Sequence, residues 1–329
     1  MQSGIRRVYF YDLELGVNKE KATPPPMDDV LRAIKARVDA RQAVHPINKR
    51  TAHLEIGDMT VDSVNNCAIL LLKISDTTLP DPYFSNPNAG TSRVARKEDG
   101  EGRGFGAHLL ISTLQESDRP NHYLALLEKN QGLHRSFVER LLQAVLRGQY
   151  KEDEDSFSCA DSTGARNRDG KSKLVKFRPM ITFTGHPSET LIQELDGGTI
   201  KDIVLTKDNA MVPFGSQVWL KSSESTLRLK ASARGPLTRV IDSVRSALKE
   251  PDAKKYQKAR VRFVKPDKTT DSVEFDLTTG NPIDEKYVKS RLISDIEPIM
   301  DDSSDSIVEH FSDRLVVELK GHRAAGGSI

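Results

Sequence analysis

The chain has little of what marks several protein classes. Its 329 residues include two cysteines and one tryptophan, and aromatics make up 6%. Cys67 and Cys159 have no partners at metal-ligand spacing, which argues against a secreted disulfide framework. Cys67 sits in an apolar run and reads as a small core residue. That run, 67–72, is the longest apolar stretch and far too short to cross a bilayer. Residues 1–11 carry Arg6 and Arg7 but no long apolar stretch, so no secretory leader is expected. The expected location is cytoplasmic, with no membrane partner. Net charge is only +2, from 49 basic and 47 acidic residues, which excludes a bulk polycation.

What is present suits ordinary globular folding. Hydrophobic residues make up 37% and charged residues 29%. A chain this long buries roughly 75% of its unfolded surface, enough for about two domains. A strand is predicted at 5–15, a proline break at Pro24–Pro26, and a helix at 27–44 with Val30, Leu31, Ile34 and Val38 in helical spacing. Strands follow at 52–61, 67–75, 107–113 and 122–128. A helix at 133–147 has a wide stripe of Val138, Leu141, Leu142, Val145 and Leu146. Residues 150–175 are acidic first, basic later and rich in turn formers, so they read as a linker.

Beyond the linker, strands are predicted at 179–184, 200–206, 217–221, 226–231, 259–264, 272–277 and 315–319. Helices are predicted at 188–195, 236–249, 284–296 and 303–312. The expected fold is therefore α+β, in two domains, 1–149 and 176–329, joined by 150–175. Each is expected to be a mostly antiparallel sheet with helices packed on it, on one face in the first domain.

Charge is unevenly placed. Residues 165–268 hold 22 basic and 11 acidic residues, whereas 269–329 hold 6 and 13. A basic block is the compositional hint of an anionic partner. Lys254, Lys255 and Lys258, then Lys171, Lys173 and Lys176, are the candidate phosphate contacts. A solvated face explains the same letters. In a hairpin turning near Lys268, Arg262 would oppose Glu274 and Arg260 would oppose Asp276, removing charge from the patch, while Lys254, Lys255 and Lys258 would stay unpaired.

Three further constellations stand out. Gly100, Gly102, Gly104 and Gly106 alternate before a strand, so they form neither a dinucleotide fingerprint nor a P-loop. They suit a mobile ligand loop or a plain flexible connection. His53, Glu55 and His108 lie on predicted strands of one sheet and are the metal or acid–base candidates, although strand residues so scattered commonly just pack or face water. The apolar stretch ending Glu318-Leu319-Lys320 resembles the PD-(D/E)xK nuclease signature, with Asp313 or Asp305 as the first carboxylate. Only nine residues follow Lys320, too few for the helix and strand that complete that core, and an edge strand accounts for the same letters. No cofactor is expected.

The first ~147 residues carry an Arg7-Val8-Tyr9-Phe10-Tyr11 strand and an arginine-rich loop. A passage from Glu101-Gly102-Arg103-Gly104 to Ala107-His108 follows, then a Gly132-Leu133 helix start. In these features the region resembles uncharacterised bacterial proteins encoded beside mobile-element and phage-defence genes. The resemblance implies a defence or accessory role and carries no catalytic residue with it. The leading expectation is a non-enzymatic component of such a system that binds nucleic acid through a basic surface of the C-terminal domain. The alternatives are a metal-dependent nuclease and a protein-interaction module that meets a partner protein of the same system.

Overall fold

The computed structural model describes residues 4–117, 119–214, 217–230, 255–277 and 281–325. The fold is α+β, with antiparallel sheets. Contacts divide the chain into two compact units, one of residues 1–183 with 291–329 and one of residues 184–290. The division does not fall at the expected linker. Residues 150–175 pack within the larger unit, where Phe157 and Phe177 share a small cluster with Ala22.

In the larger unit, β1 (Arg6–Val17) leads to α1 (Met27–Asp39). Asp28 and Asp29 sit in the first turn of α1 and Arg37 in the last, as the helix dipole favours. This helix ends before the expected 44 because Arg41 takes a left-handed conformation (φ 56°). The Gln42 N–H then donates to Arg37 O (2.8 Å) and the Arg41 N–H to Val38 O (2.9 Å), closing a Schellman motif. Released from the helix, β2 (Val44–Ile47) forms an edge strand on β3 (Ala52–Asp62). β4 (Cys67–Asp76) pairs back on β3. The long loop after β4 holds a small ribbon of β5 (Tyr83–Asn86) and β6 (Thr91–Val94). β7 (Arg103–Gln115) and β8 (His122–Glu128) form the expected hairpin, and α2 (Arg135–Glu152) the expected helix. β9 (Ser158–Ala160) and β10 (Leu174–Lys176) pair with each other.

The main sheet runs β11-β1-β8-β7-β4-β3-β2, where β11 is Pro179–Gly185, and β16 (Ser290–Ile293) also pairs with β1. Alternation along the strands gives it two apolar faces. On one face, Val8, Phe10, Cys67, Ile69, Leu110, Leu124 and Leu126 pack against Phe311, Leu315 and Leu319. Those three belong to the C-terminal helix α4 (Glu309–Ala324). Burial there pushes the Cys67 thiol up to about 11. On the other face, Tyr123 reaches Met27 at the start of α1, and α1 packs on α2. Helices therefore cover both faces of this sheet rather than one.

The C-terminal strand expected at 315–319 is part of α4. Phe311, Leu315 and Leu319 recur every four residues and give the helix one fully buried stripe. The helix expected at 303–312 starts only at Glu309. The helix expected at 284–296 reduces to one tight turn, Glu285–Tyr287, because the next residues join the sheet as β16.

The smaller unit opens with α3 (Glu189–Asp196), capped by Ser188, whose Oγ accepts from the Leu191 N–H (3.1 Å). Its sheet runs β13-β12-β14-β15, from β12 (Thr199–Phe214), β13 (Gln217–Lys230), β14 (Lys258–Val264) and β15 (Thr270–Asp276). Leu205, Val261, Phe263, Val273 and Phe275 point to one face and pack with Leu191, Leu195 and Tyr287. β13 is one long strand paired with β12, not the separate hairpin expected at 217–231. The helix expected at 236–249 lies outside the described residues.

Candidate nucleic-acid interface

In the β12–β15 sheet, inward apolar residues alternate with outward polar ones. The register places Lys230, Asp202 and Arg262 in one cross-strand row. Arg228, Val204, Arg260 and Glu274 form the next, and Thr226, Thr206, Lys258 and Asp276 the third. Lys258, Arg260 and Arg262 thus follow one another along β14 about 6.6 Å apart, the two-residue repeat of a strand. All five cations share the face opposite the core.

Two carboxylates organise four of them. Asp202 receives both the Nε (2.7 Å to Oδ1) and an Nη of Arg262, with Arg228 at 3.9 Å. Arg262 holds its carboxyl below the usual range, against an opposing effect of burial. Glu274 binds Arg260 at 3.2 Å and Lys258 at 3.8 Å. Each carboxylate is thus shared by two cations, and Arg228 and Arg260 remain 56% and 60% exposed. At the hairpin end, Asp271 is bridged by Lys265 (2.8 Å) and Lys286 (2.6 Å). Burial raises its pKa, but these two ammonium groups bring it far below the ordinary range.

The ion pairs expected here exist with other partners. Arg260, not Arg262, opposes Glu274, and Lys258 opposes Asp276. The turn is centred on Asp267 rather than Lys268, so every cross-strand pair shifts by two residues. Lys258, expected to be unpaired, shares Glu274 with Arg260. Lys255 also has a partner, and Lys254 lies outside the described residues. In the larger unit, the β9–β10 ribbon brings Lys176 to Asp155 (2.9 Å) and Glu154 (3.3 Å), so the first cation past the expected linker folds onto the linker's acidic end. Lys171 and Lys173 are exposed. Asp202, Arg228 and Lys230 were not anticipated, because only the pairing of β12 with both β13 and β14 brings them beside the β14 cations.

The metal candidates do not converge. His53 and Glu55 are exposed on β3, opposite Ser75 and Lys73 of β4. His108 lies buried on β7, on the far side of β4. Its Nδ1 meets Glu128 Oε2 at 2.8 Å, and the Glu128 Oε1 accepts from Arg6 Nε at 3.0 Å. His108 Nε2 accepts from the Val308 N–H (3.0 Å), which fixes the tautomer with its proton on Nδ1. Arg6 Nη2 donates onward to Met300 O (2.7 Å) and Asp301 O (3.2 Å).

These bonds tie down an extended strap, residues 300–308, across the α4 face of the sheet. The Gly106 N–H donates to Asp302 O (2.7 Å), and Asp58 Oδ2 accepts from the Ile307 N–H (3.0 Å). A Cβ on Gly106 would lie 3.2 Å from Ser303 Cα, so a side chain there would push the strap by a few tenths of an ångström. Gly104 and Gly106 are therefore strand residues of β7, not part of a free loop. The buried triad has no open coordination position and works as a latch.

The nuclease candidates are also apart. On a helix, Asp313 and Glu318 lie about 140° from each other, and Glu318 and Lys320 about 160°. The signature requires these residues on a strand. Asp305 is on the strap, 3.6 Å from Lys73. Among the described residues no cluster of three His, Cys, Asp or Glu side chains could hold a metal ion, and no helix is long and apolar enough to cross a membrane. Comparisons with protein-family models, curated proteins and solved structures give no match.

Proposed function

We propose that the chain is a nucleic-acid-binding protein without catalytic activity and that the outer face of the β12–β15 sheet is its contact surface. One observation carries this reading. Lys230, Arg228, Arg262, Arg260 and Lys258 share one exposed face, and the last four are held in place by two shared carboxylates. Sharing leaves an excess of positive charge on cations whose geometry is already ordered, a suitable surface for phosphates. Lys258 keeps its expected role, and Lys171 and Lys173 are a separate exposed pair in the larger unit. The resemblance of the first ~147 residues extends the proposal to a component of a bacterial defence or mobile-element system.

The test is fluorescence anisotropy with labelled DNA and RNA across a salt series. Binding is expected to weaken steeply with salt and to vanish in a Lys258→Glu, Arg260→Glu, Arg228→Glu triple variant. Unchanged binding by a folded triple variant, or no binding by the parent at low salt, would overturn it.

A further inference from the structure

The β5–β6 ribbon has no packing role in either unit's core. All eight of its strand residues are exposed, including Tyr83 (66%), Phe84 (49%) and Val94 (48%). An isolated two-stranded ribbon is marginal in water, so one with apolar side chains on its surface calls for a use. Its base is firmly held. The Ala95 N–H donates to Pro82 O (2.9 Å), and Lys97 Nζ donates to Thr77 O (2.9 Å) with Asp81 at 3.9 Å. Its tip is also ordered: Asn86 Oδ1 accepts from the N–H groups of Asn88 (3.1 Å) and Ala89 (3.2 Å), and Gly90 takes φ +62°. The result is a fixed arm with both faces in water.

Its charge has one sign. Residues 82–97 contain Arg93, Arg96 and Lys97 and no acidic residue. The Arg93 guanidinium lies over the Phe84 ring, 4.5 Å from its centroid. Among the described residues neither Arg93 nor Arg96 has an ion pair. Along the arm the chemistry is graded. The cations stand toward the base, and the outer half carries Ser85, Ser92, Thr91 and Asn88, short side chains able to hydrogen-bond base edges.

We infer that residues 83–94 form an arm that enters the major groove of duplex DNA, with Arg93 and Arg96 on the flanking phosphates and the tip at the base edges. The inference rests on the reading of the chain as a nucleic-acid binder and names the ligand. The dimensions suit it. A B-DNA major groove about 12 Å wide and 8.5 Å deep admits a two-stranded ribbon. Four-residue strands extend about 13 Å, so the tip reaches the floor while the base cations stay at the rim. The narrow major groove of duplex RNA would not admit it. A single strand is a poorer match. Tyr83 and Phe84 are consecutive on a strand and face opposite ways, and Arg93 covers Phe84, so there is no shared stacking platform.

The test uses the full chain, with DNA duplex, RNA duplex and single-stranded DNA as probes. The parent is expected to bind the DNA duplex most tightly and to protect guanine N7 atoms from dimethyl sulfate. Arg93→Ala with Arg96→Ala should lower the slope of log affinity against log salt by about 1.8, two phosphate contacts' worth. Because both side chains are exposed, circular dichroism should match the parent. As a second probe, Asn88→Ala with Ser92→Ala should lose N7 protection while retaining the salt slope. Tighter binding of single strands or duplex RNA overturns the inference, as does an unchanged slope in the arginine variant. If the sheet-face triple variant abolishes duplex binding and the arginine variant leaves the salt slope unchanged, the arm fails and the nucleic-acid reading stands. If no nucleic acid is bound by the parent, both fail.

Discussion

Two arginine–carboxylate networks, one dry and one wet, use the same chemistry for different ends. In the larger unit, Arg6, Glu128 and His108 are each 2% exposed, and they bond to one another and to the strap. In the smaller unit, Arg260 is 60% exposed and Glu274 22%. A dry pair suffers a large desolvation penalty and persists only if its polar atoms are matched. That requirement makes the dry network a positional device: the carbonyls of 300 and 301 and the N–H of 308 must sit where the triad needs them. A wet pair contributes little stability because water competes for both partners. Its value lies in where it holds charge.

The largest effect expected from breaking this contrast is in the dry network. Glu128→Ala leaves the Arg6 guanidinium buried without its carboxylate and should cost about 3–5 kcal/mol in denaturant unfolding. The same variant should expose the strap, so amide exchange at Ile307 and Val308 should rise. Wild-type stability in the variant would show that the triad is not a closed network. Replacing the wet partner Glu274 by Ala is the control, and the ratio of the two effects measures the difference directly.

A smaller effect separates the networks by pH. Asp202 and Asp271 have pKa values below the unfolded carboxylate value of about 3.9. For a depressed carboxylate, the stabilisation is complete above the unfolded pKa and is lost as pH falls through the folded one. The smaller unit should therefore hold its stability down to about pH 4 and lose it below. Added salt should change the Asp202 contribution little, because its side chain is only 6% exposed and buried pairs are weakly screened. A melting temperature with no dependence on pH below about 4 would contradict this assignment.

Much of the larger unit was legible in the sequence. The hairpins 52–76 and 103–128 and the helix from Arg135 carry strong periodic patterns, and each formed close to its expected place. The C-terminal helix was misread because five residues, Leu315 to Leu319, were weighed alone. Short apolar runs do not separate strand from helix, whereas extending the window to Phe311 reveals the four-residue spacing. The Glu128 partner of His108 had a readable signal. Leu109 pairs with Leu127 in the expected hairpin, so His108 and Glu128 stand beside each other one step further along. Arg6 and the strap had no such signal, since Arg6 meets Glu128, and the strap meets Arg6 and His108, only through contacts distant in sequence. The two-residue register error in the β14–β15 hairpin came from centring the turn one residue late. A strand's two-residue period preserved the inward set Val261, Phe263, Val273 and Phe275 while changing every ion pair.

The smallest stability effect sharpens the comparison most. Glu274→Gln keeps the side-chain shape and removes one negative charge from between Arg260 and Lys258. Because the pairs are exposed, unfolding free energy should fall by less than about 1 kcal/mol. The positive field of the outer face should rise, since two cations lose the carboxylate they shared. If that face meets phosphates, the variant should bind nucleic acid more tightly than the parent, with the gain largest at low salt. Anisotropy titrations of parent and variant against the same DNA duplex read this directly. Weaker binding would mean that Glu274 positions Arg260 for its contact and that order outweighs charge on this face. Equal binding at every salt concentration would place the phosphates elsewhere and leave the wet network as ordinary sheet chemistry. In the dry network the matching change, Glu128→Gln, has no comparable gain, because Arg6 is inaccessible to any ligand.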